Sequence, residues 1–320
     1  MSNSASPERD TDTSPSTRRM AQLSTVLTWV MHATVLLVLV VPFSWRVLVL
    51  ALATYLVRMW GITAGYHRYF SHRAFKTSRV FQFVLGWLGT SAMQNGPLWW
   101  SSWHRRHHKH SDTPEDTHSP RQKGFYHSHM GWFMDGTHED PDLSNVKDLA
   151  KYPEIRWLEK YKWLPLVLLG VACFLIGGAP GLVWGFFVST IAVLQVTMCI
   201  NSLAHVWGTR RYETSDDSRN NALLAFCALG EGWHNNHHHS MSSARSGEGW
   251  WELDVTWYVL RALAAIGVVW DLRPARHLEV ALAGTRADSM SSVDDSTDRD
   301  GRGVEAAEEV GGAGSTAEAE

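Results

Sequence analysis

The sequence predicts an all-α integral membrane protein in which a four-span helical bundle carries a histidine-rich cap on the cytosolic side. Three observations lead there. Four apolar runs have close to the length a spanning helix needs, about 20 residues. Three histidine clusters and one outlier stand between and after them: His67-Arg-Tyr-Phe-Ser-His72, His104-Arg-Arg-His107-His108, His205 and His234-Asn-Asn-His237-His238. Lysine and arginine gather on the histidine-bearing segments and are almost absent from the two opposite turns, which places the clusters and both termini in the cytoplasm.

Composition narrows the class further. The 320 residues include 29 basic and 32 acidic side chains, a net charge of −3, so no basic field suggests a nucleic-acid partner. Mean hydropathy is slightly negative, but it averages polar tails with long apolar runs, and the runs decide. Cys173, Cys199 and Cys227 lie in apolar surroundings without CxxC spacing and read as buried thiols.

In chain order, residues 1–20 are rich in Ser, Thr and acid and are expected to be a disordered tail. No basic region leads directly into a short apolar stretch, so no cleavable signal is expected. Residues 21–282 should form the membrane domain, with spans at about 23–42, 47–66, 163–178 and 182–204. His32, alone in the first span, should be a satisfied or interfacial histidine. Arg58 in the second is costly in lipid, so it should face the protein interior or snorkel. The apolar stretch 80–93 has only 14 residues and reads as a re-entrant or interfacial helix. Gly177-Gly178-Ala179-Pro180-Gly181 is a breaker cluster that should fold the last two spans into a hairpin. Residues 250–270 carry Glu252, Asp254 and Arg261, which favours an interfacial helix over a fifth span. Residues 283–320, of Gly, Ala, Ser and acid, should be a second disordered tail.

The histidine spacing points to metal. Residues three and four apart share a helix face, so His104, His107 and His108 cover an arc of about 100°, and His234, His237 and His238 repeat it. Such an arc lets a pair address one ion while the third imidazole turns to another, and two facing helices make a two-metal site. Imidazole suits iron, zinc, copper and nickel. His67 and His72, five apart, stand about 140° apart on an ideal helix, so the helix must end or bend between them, with Ser71 the breaking point. His205 follows Asn201 by one helical turn at the end of the fourth span. Asp112, Asp116 and Glu231 are available to fix ring orientation. His110, His118, His127, His129, His138, His239 and His277 are not expected to ligate.

These segments resemble the membrane fatty acyl desaturases of the stearoyl-CoA desaturase type. The match covers about residues 61–273: Gly61-Ile-Thr-Ala-Gly-Tyr-His-Arg-Tyr-Phe-Ser-His72, Trp103-His-Arg-Arg-His-His-Lys-His-Ser-Asp-Thr113, Gly124-Phe-Tyr-His-Ser-His-Met-Gly-Trp132, Asn201-Ser-Leu-Ala-His205 and Glu231-Gly-Trp-His-Asn-Asn-His-His238. The resemblance implies a four-span bundle with a cytosolic di-iron cap. It implies one iron on His67, His72, His104, His108 and His238, and the other on His107, His205, His234 and His237, with Asn201 contributing through a water.

The implied reaction is O2-dependent formation of a cis double bond in a long-chain acyl-CoA, usually at delta-9, with an acyl lipid as the alternative carrier. Electrons would come from a separate ferredoxin, cytochrome or iron-sulfur flavoprotein reductase, because the chain shows no fused haem motif, ferredoxin cysteine set or GxGxxG. Ala51 and Tyr55 would share a face at the methyl end of an acyl tunnel. Animal acyl-CoA members carry Arg-Asp before the second box and basic residues after the Gly-Trp; this chain has Ser102-Trp103 and Asp135-Gly136-Thr137 there. Trp103, Arg105 and Lys123 are the candidate head-group contacts, with Arg106, Lys109 and Arg121 beside them. A hydroxylase or ketolase of the same superfamily is the nearest alternative. A non-catalytic membrane metal-binding protein would instead bury its ligands in the bilayer.

Overall fold

The computed structural model describes residues 15–275 apart from 136, 137 and 139. The expected tail 283–320 and most of 1–20 lie outside these residues, as do Gly136, Thr137 and His277. The first helix, α1 (Pro15–Ala33), begins inside the expected N-terminal tail, because Arg18 to Gln22 contains no breaker to stop the helix short. A 3₁₀ segment, Thr34–Leu39, continues it. Ser44 then caps α2 (Trp45–Trp60) by accepting from Val47 N–H, and α2 runs without a break into a π-helical segment, Gly61–Ser71.

Among the described residues, three helical runs are long and apolar enough to cross a membrane: Gln22–Leu39, Trp45–Ser71 and Trp163–His205. The third is not a single rod. Gly178 has φ 61° and ψ −151°, a conformation that favours glycine, and there the Trp163–Gly181 helix turns back into Leu182–Val188 and Ser189–Ser202. The limbs pack closely. A Cβ on Gly185 would lie 2.8 Å from Leu50 of α2 and 3.1 Å from Cys173 Sγ of the first limb. The breaker cluster therefore makes the expected hairpin.

Arg58 faces the interior, where its guanidinium donates to Thr190 Oγ1 at 2.6 Å, to Thr54 O at 3.0 Å and to Ser189 Oγ. His32 is satisfied, with Nδ1 2.7 Å from Thr28 O and Nε2 2.9 Å from Gln195 Nε2. Val26, Val30, Val49, Leu56, Val171 and Leu175 remain exposed along the apolar runs, a belt for lipid rather than water.

Helix α3 (Arg79–Thr90), capped by Ser78, is too short to span and lies along the π segment. Pro97 opens α4 (Pro97–His110), where its missing N–H costs nothing. The expected helix at 250–270 is confined to Val255–Ala265, because Asp254 caps its start by accepting from Trp257 N–H at 2.9 Å. After it, Val269–Trp270 (β2) pairs antiparallel with Lys76–Thr77 (β1), Lys76 opposite Trp270. This small pair, with isolated bridges of Asn220 to Thr209 and Trp233, departs from the all-α expectation among the described residues, and it ties the end of the first histidine segment to Val269–Trp270.

Candidate metal centre

The first box is set by a change of helical pitch. In a π turn the hydrogen bond runs from i+5 to i: His72 N–H donates to His67 O at 3.1 Å and Ser71 Oγ–H to Tyr66 O at 2.8 Å. Residues five apart then fall on one side, and the His67 and His72 rings approach to 4.8 Å between centroids. The helix ends at Ser71, as the sequence suggested, and it widens into the π form before it ends. The second box projects from α4, the third from the short helix His234–His239, and His205 from the 3₁₀ turn Leu203–His205.

These elements gather the nine histidines into two groups. His67, His72, His104, His108 and His237 form one; His107, His205, His234 and His238 form the other, with one ligand atom per residue and all such atoms in a group within 4.8 Å of one another. This grouping differs from the expected partition at the third box, where His237 and His238 stand in each other's places. The reason is helical: the i, i+4 pair His104/His108 stays together in one group, and the i, i+4 pair His234/His238 stays together in the other.

Their outer nitrogens are fixed by carboxylates. Nδ1 of His107 donates to Asp116 at 2.9 Å, that of His205 to Asp112 at 2.9 Å and that of His238 to Asp216 at 2.6 Å. His67 Nδ1 lies 2.6 Å from Glu231, which Arg68 holds at 2.9 Å while also pairing with Asp254 at 3.0 Å. A carboxylate only accepts, so the Nδ1 atoms of His107, His205 and His238 carry the proton and their Nε2 atoms offer lone pairs inward.

The inward Nε2 atoms face one another: His205 to His234 and His238 to His234 at 3.1 Å, His67 to His237 at 3.0 Å. His107 Nε2 is buried with no hydrogen-bond partner. Converging lone pairs repel unless a cation stands among them, so the donor set fits a metal ion in each group.

The electrostatics agree. Burial, reinforced by neighbouring imidazoles, pushes His104, His108, His234 and His237 well below the ordinary histidine range, and burial takes His238 to about 4 in spite of Asp216. His107 alone is raised, because Asp116 outweighs the effect of burial. Burial by itself would raise Asp112, Asp116 and Asp216, but their histidine partners hold all three well below the usual carboxylate range. Neutral ligands backed by ionised carboxylates are what a metal requires.

Asp112, Asp116 and Glu231 meet the sequence expectation, whereas Asp216, Arg68 and Asp254 had no sequence signal. Asp216 lies in a loop far along the chain from its partner, with no spacing that marks it. His118, not expected as a ligand, stacks on His107 at 4.3 Å and forms a further group with His107 and Asp116. His129 is engaged by Gln195 and Ser202, each at 2.9 Å, and His239 stacks on Tyr212 at 3.9 Å.

A cavity lies against both groups. Met59, Ile62, Ile200, Asn201, His67 and His107 are among its walls. Tyr55, one helical turn before Met59, donates to Cys227 O at 2.8 Å beside Ala228, another wall residue; Ala51 is buried one turn further. Trp103 borders an adjoining chamber, and Lys123 is exposed at the end of the short helix Pro120–Lys123.

Arg105 departs from expectation. All five of its N–H donors are taken, by Ser71 O, Phe70 O, Asn145 O and both oxygens of Asp148, so it has none left for a phosphate.

A sequence model of the fatty acid desaturase family matches residues 43–278. The chain belongs to this family. It is 42% identical over 244 residues to a chloroplastic palmitoyl-monogalactosyldiacylglycerol delta-7 desaturase of Arabidopsis thaliana, covering 74% of this chain and 66% of the relative. It is 39% identical to an sn-1 stearoyl-lipid 9-desaturase of Anabaena variabilis, over 73% of this chain and 86% of that one. It is 42% identical to an icosanoyl-CoA 5-desaturase of Limnanthes douglasii, over 67% and 61%. The chain thus spans just under two thirds of the length of the first and third of these family members.

Proposed function

We propose that this desaturase-family chain introduces a cis double bond into a saturated acyl chain, with delta-9 the expected position, using O2 and two irons. His67, His72, His104, His108 and His237 would hold one iron; His107, His205, His234 and His238 would hold the other, with Asn201 contributing through a water. The observation that carries this reading is the convergence of nine imidazole lone pairs, six of them on buried histidines, on two points beside an apolar cavity.

Bound iron would supply the oxidising power to remove hydrogen from unactivated methylenes. The chain's own residues do the rest. Asp112, Asp116 and Asp216 keep the protons on Nδ1 and aim Nε2 inward, and Glu231 stands against the outer side of His67. Met59, Ile62 and Ile200 enclose an apolar chain that has no polar handle, so position is set by shape. Tyr55 closes the far end, with Ala51 behind it.

The doubled-back third run supports four crossings, with the boxes and both termini in the cytoplasm. A separate ferredoxin, cytochrome or iron-sulfur flavoprotein would deliver electrons. Relatives named for lipid and for CoA substrates support a fatty acyl substrate of either kind.

The test is expression in a desaturase-deficient host and location of double bonds in its lipids, beside His107→Ala and His234→Ala. New monounsaturated chains from the wild type and none from the variants are expected. Restored lipids from either variant, or hydroxylated chains from the wild type, would overturn the assignment.

A further inference from the structure

Two helices that begin at the box-side boundary of the membrane leave a gap between them. Ser24, Leu27 and Met31 of α1 face Lys162 and Leu166 across a cleft of about 200 Å³, with Phe133 at its inner wall. The apolar runs Gln22–Leu39 and Trp163–His205 both start beside it, so the cleft sits where hydrocarbon meets headgroups. Trp163, 51% exposed, and Lys162 flank it, side chains suited to that level.

The cleft leads inward. Phe133 also borders the chamber formed by Trp100, Trp103, His104 and Asn201, and Trp100, His104 and Asn201 in turn line the cavity against the metal groups. Phe133 is the partition between lipid and chamber. It stands edge-on to Trp99 at 6.0 Å, and Trp99 is itself stacked on Trp132 at 5.7 Å. By contrast, Ser102 before the second box is fully buried, Trp103 presents an indole, and the nearby Arg105 has every donor engaged, so none of the three offers a free cation to a phosphate.

We propose that the acyl carrier is a bilayer glycerolipid whose chain enters sideways between α1 and the Trp163–Gly181 helix. Its ester and headgroup stay at the boundary beside Lys162 and Trp163, while the chain passes Phe133 to reach the metal centre. A lateral path spares the lipid the loss of its hydrocarbon environment, which a water-facing mouth would impose. The proposal rests on the desaturase reading and names its substrate class.

The test uses the full chain, iron-loaded, in dioleoylphosphatidylcholine vesicles containing a stearoyl-phosphatidylcholine with a mid-chain diazirine. Photolabel should concentrate on Met31, Phe133 and Leu166. Ser24→Trp, which fills the cleft, should lower labelling of Phe133 about tenfold. Leu27→Trp is a second filling variant, and retained iron content certifies the fold of each. Leu36→Trp, on an exposed part of the first run outside the cleft, should change nothing.

Label spread evenly over the exposed belt, or labelling of Phe133 indifferent to both filling variants, would overturn the portal. Desaturation of stearoyl-CoA but not of intact phosphatidylcholine, measured in the same vesicles with an electron donor, would overturn it while leaving the desaturase reading intact. Specific labelling without oxidation of either acyl pool would do the reverse, supporting a lipid portal and removing the desaturase reading.

Discussion

His237 and His238 are neighbours in sequence, yet their imidazoles serve different groups: His237 Nε2 lies 3.0 Å from His108 Nε2, and His238 Nε2 lies 3.1 Å from His234 Nε2. Each group should therefore lose its ion independently. His237→Ala should empty the five-histidine group and His238→Ala the four-histidine group, each reducing bound iron from about two per chain to about one. Elemental analysis counts the loss, and Mössbauer spectra of the two variants should retain different sites. Identical residual spectra would contradict the partition.

Asp216 positions His238 without touching the metal. Asp216→Asn removes the negative charge that favours the Nδ1 proton but keeps the side-chain shape, so iron affinity of the four-histidine group should fall by about 10- to 100-fold. Asp217→Asn is the control: Asp217 meets Asp112 through its backbone N–H at 2.8 Å, which the substitution leaves in place. Competition with a chelator measures both, and equal affinities for the two variants would remove the role assigned to Asp216.

How far the sequence reaches depends on whether a relationship is local. His104/His108 and Gly177 to Gly181 were legible because helix periodicity and glycine chemistry act within a few residues. Joining His67 to His72 required a π segment, which the residue spacing demanded in some form but did not specify. The exchange of His237 and His238 depends on how a short helix is turned against α4, a tertiary fact. Asp216 and the Arg68–Glu231–Asp254 cluster join residues far apart in the chain, and the commitment of Arg105 to Asp148 was hidden for the same reason.

Arg105 should matter for stability and not for head-group recognition. Arg105→Ala removes a partly buried ion pair and three bonds to backbone carbonyls, a loss of about 1–3 kcal/mol. Arg105→Lys should recover little, since an ammonium cannot reproduce five donors in a fixed fork. Melting temperature should fall in both variants while KM for the acyl substrate holds. A selective rise in KM for acyl-CoA would return Arg105 to substrate binding.

Tyr55 separates chain length from hydrogen bonding. Tyr55→Ala opens space beyond Met59 and should shift products toward longer chains, whereas Tyr55→Phe loses only the bond to Cys227 O and should keep the original profile. Competing saturated substrates of graded length, resolved by gas chromatography, provide the measurement. The same profile from Tyr55→Ala and the wild type would place the end of the cavity elsewhere.

Acid should destabilise the metal-free protein before it affects the loaded one. Burial holds His104, His108, His234 and His237 well below the ordinary histidine value of 6.5, so their contribution is fully present above that value. As pH falls through 6.5 the unfolded chain takes up protons that the folded chain refuses, at a cost of about 1.4 kcal/mol per pH unit for each such group. His107 acts in the opposite sense: its raised value stabilises the fold below 6.5, and that contribution is lost as pH rises through the raised value. Burial lowers His72, His118 and His238 as well, so one raised group stands against all of these and the net is a loss toward acid. Asp112, Asp116 and Asp216 add nothing to this window, since their depressed values keep their contribution intact until pH falls below the ordinary 3.8. Iron on the Nε2 atoms excludes the protons, so the loaded protein should melt at nearly constant temperature from pH 7 to about pH 5 while the chelator-stripped protein declines steadily. Parallel curves for the two forms would show that the imidazoles are not held neutral for a metal.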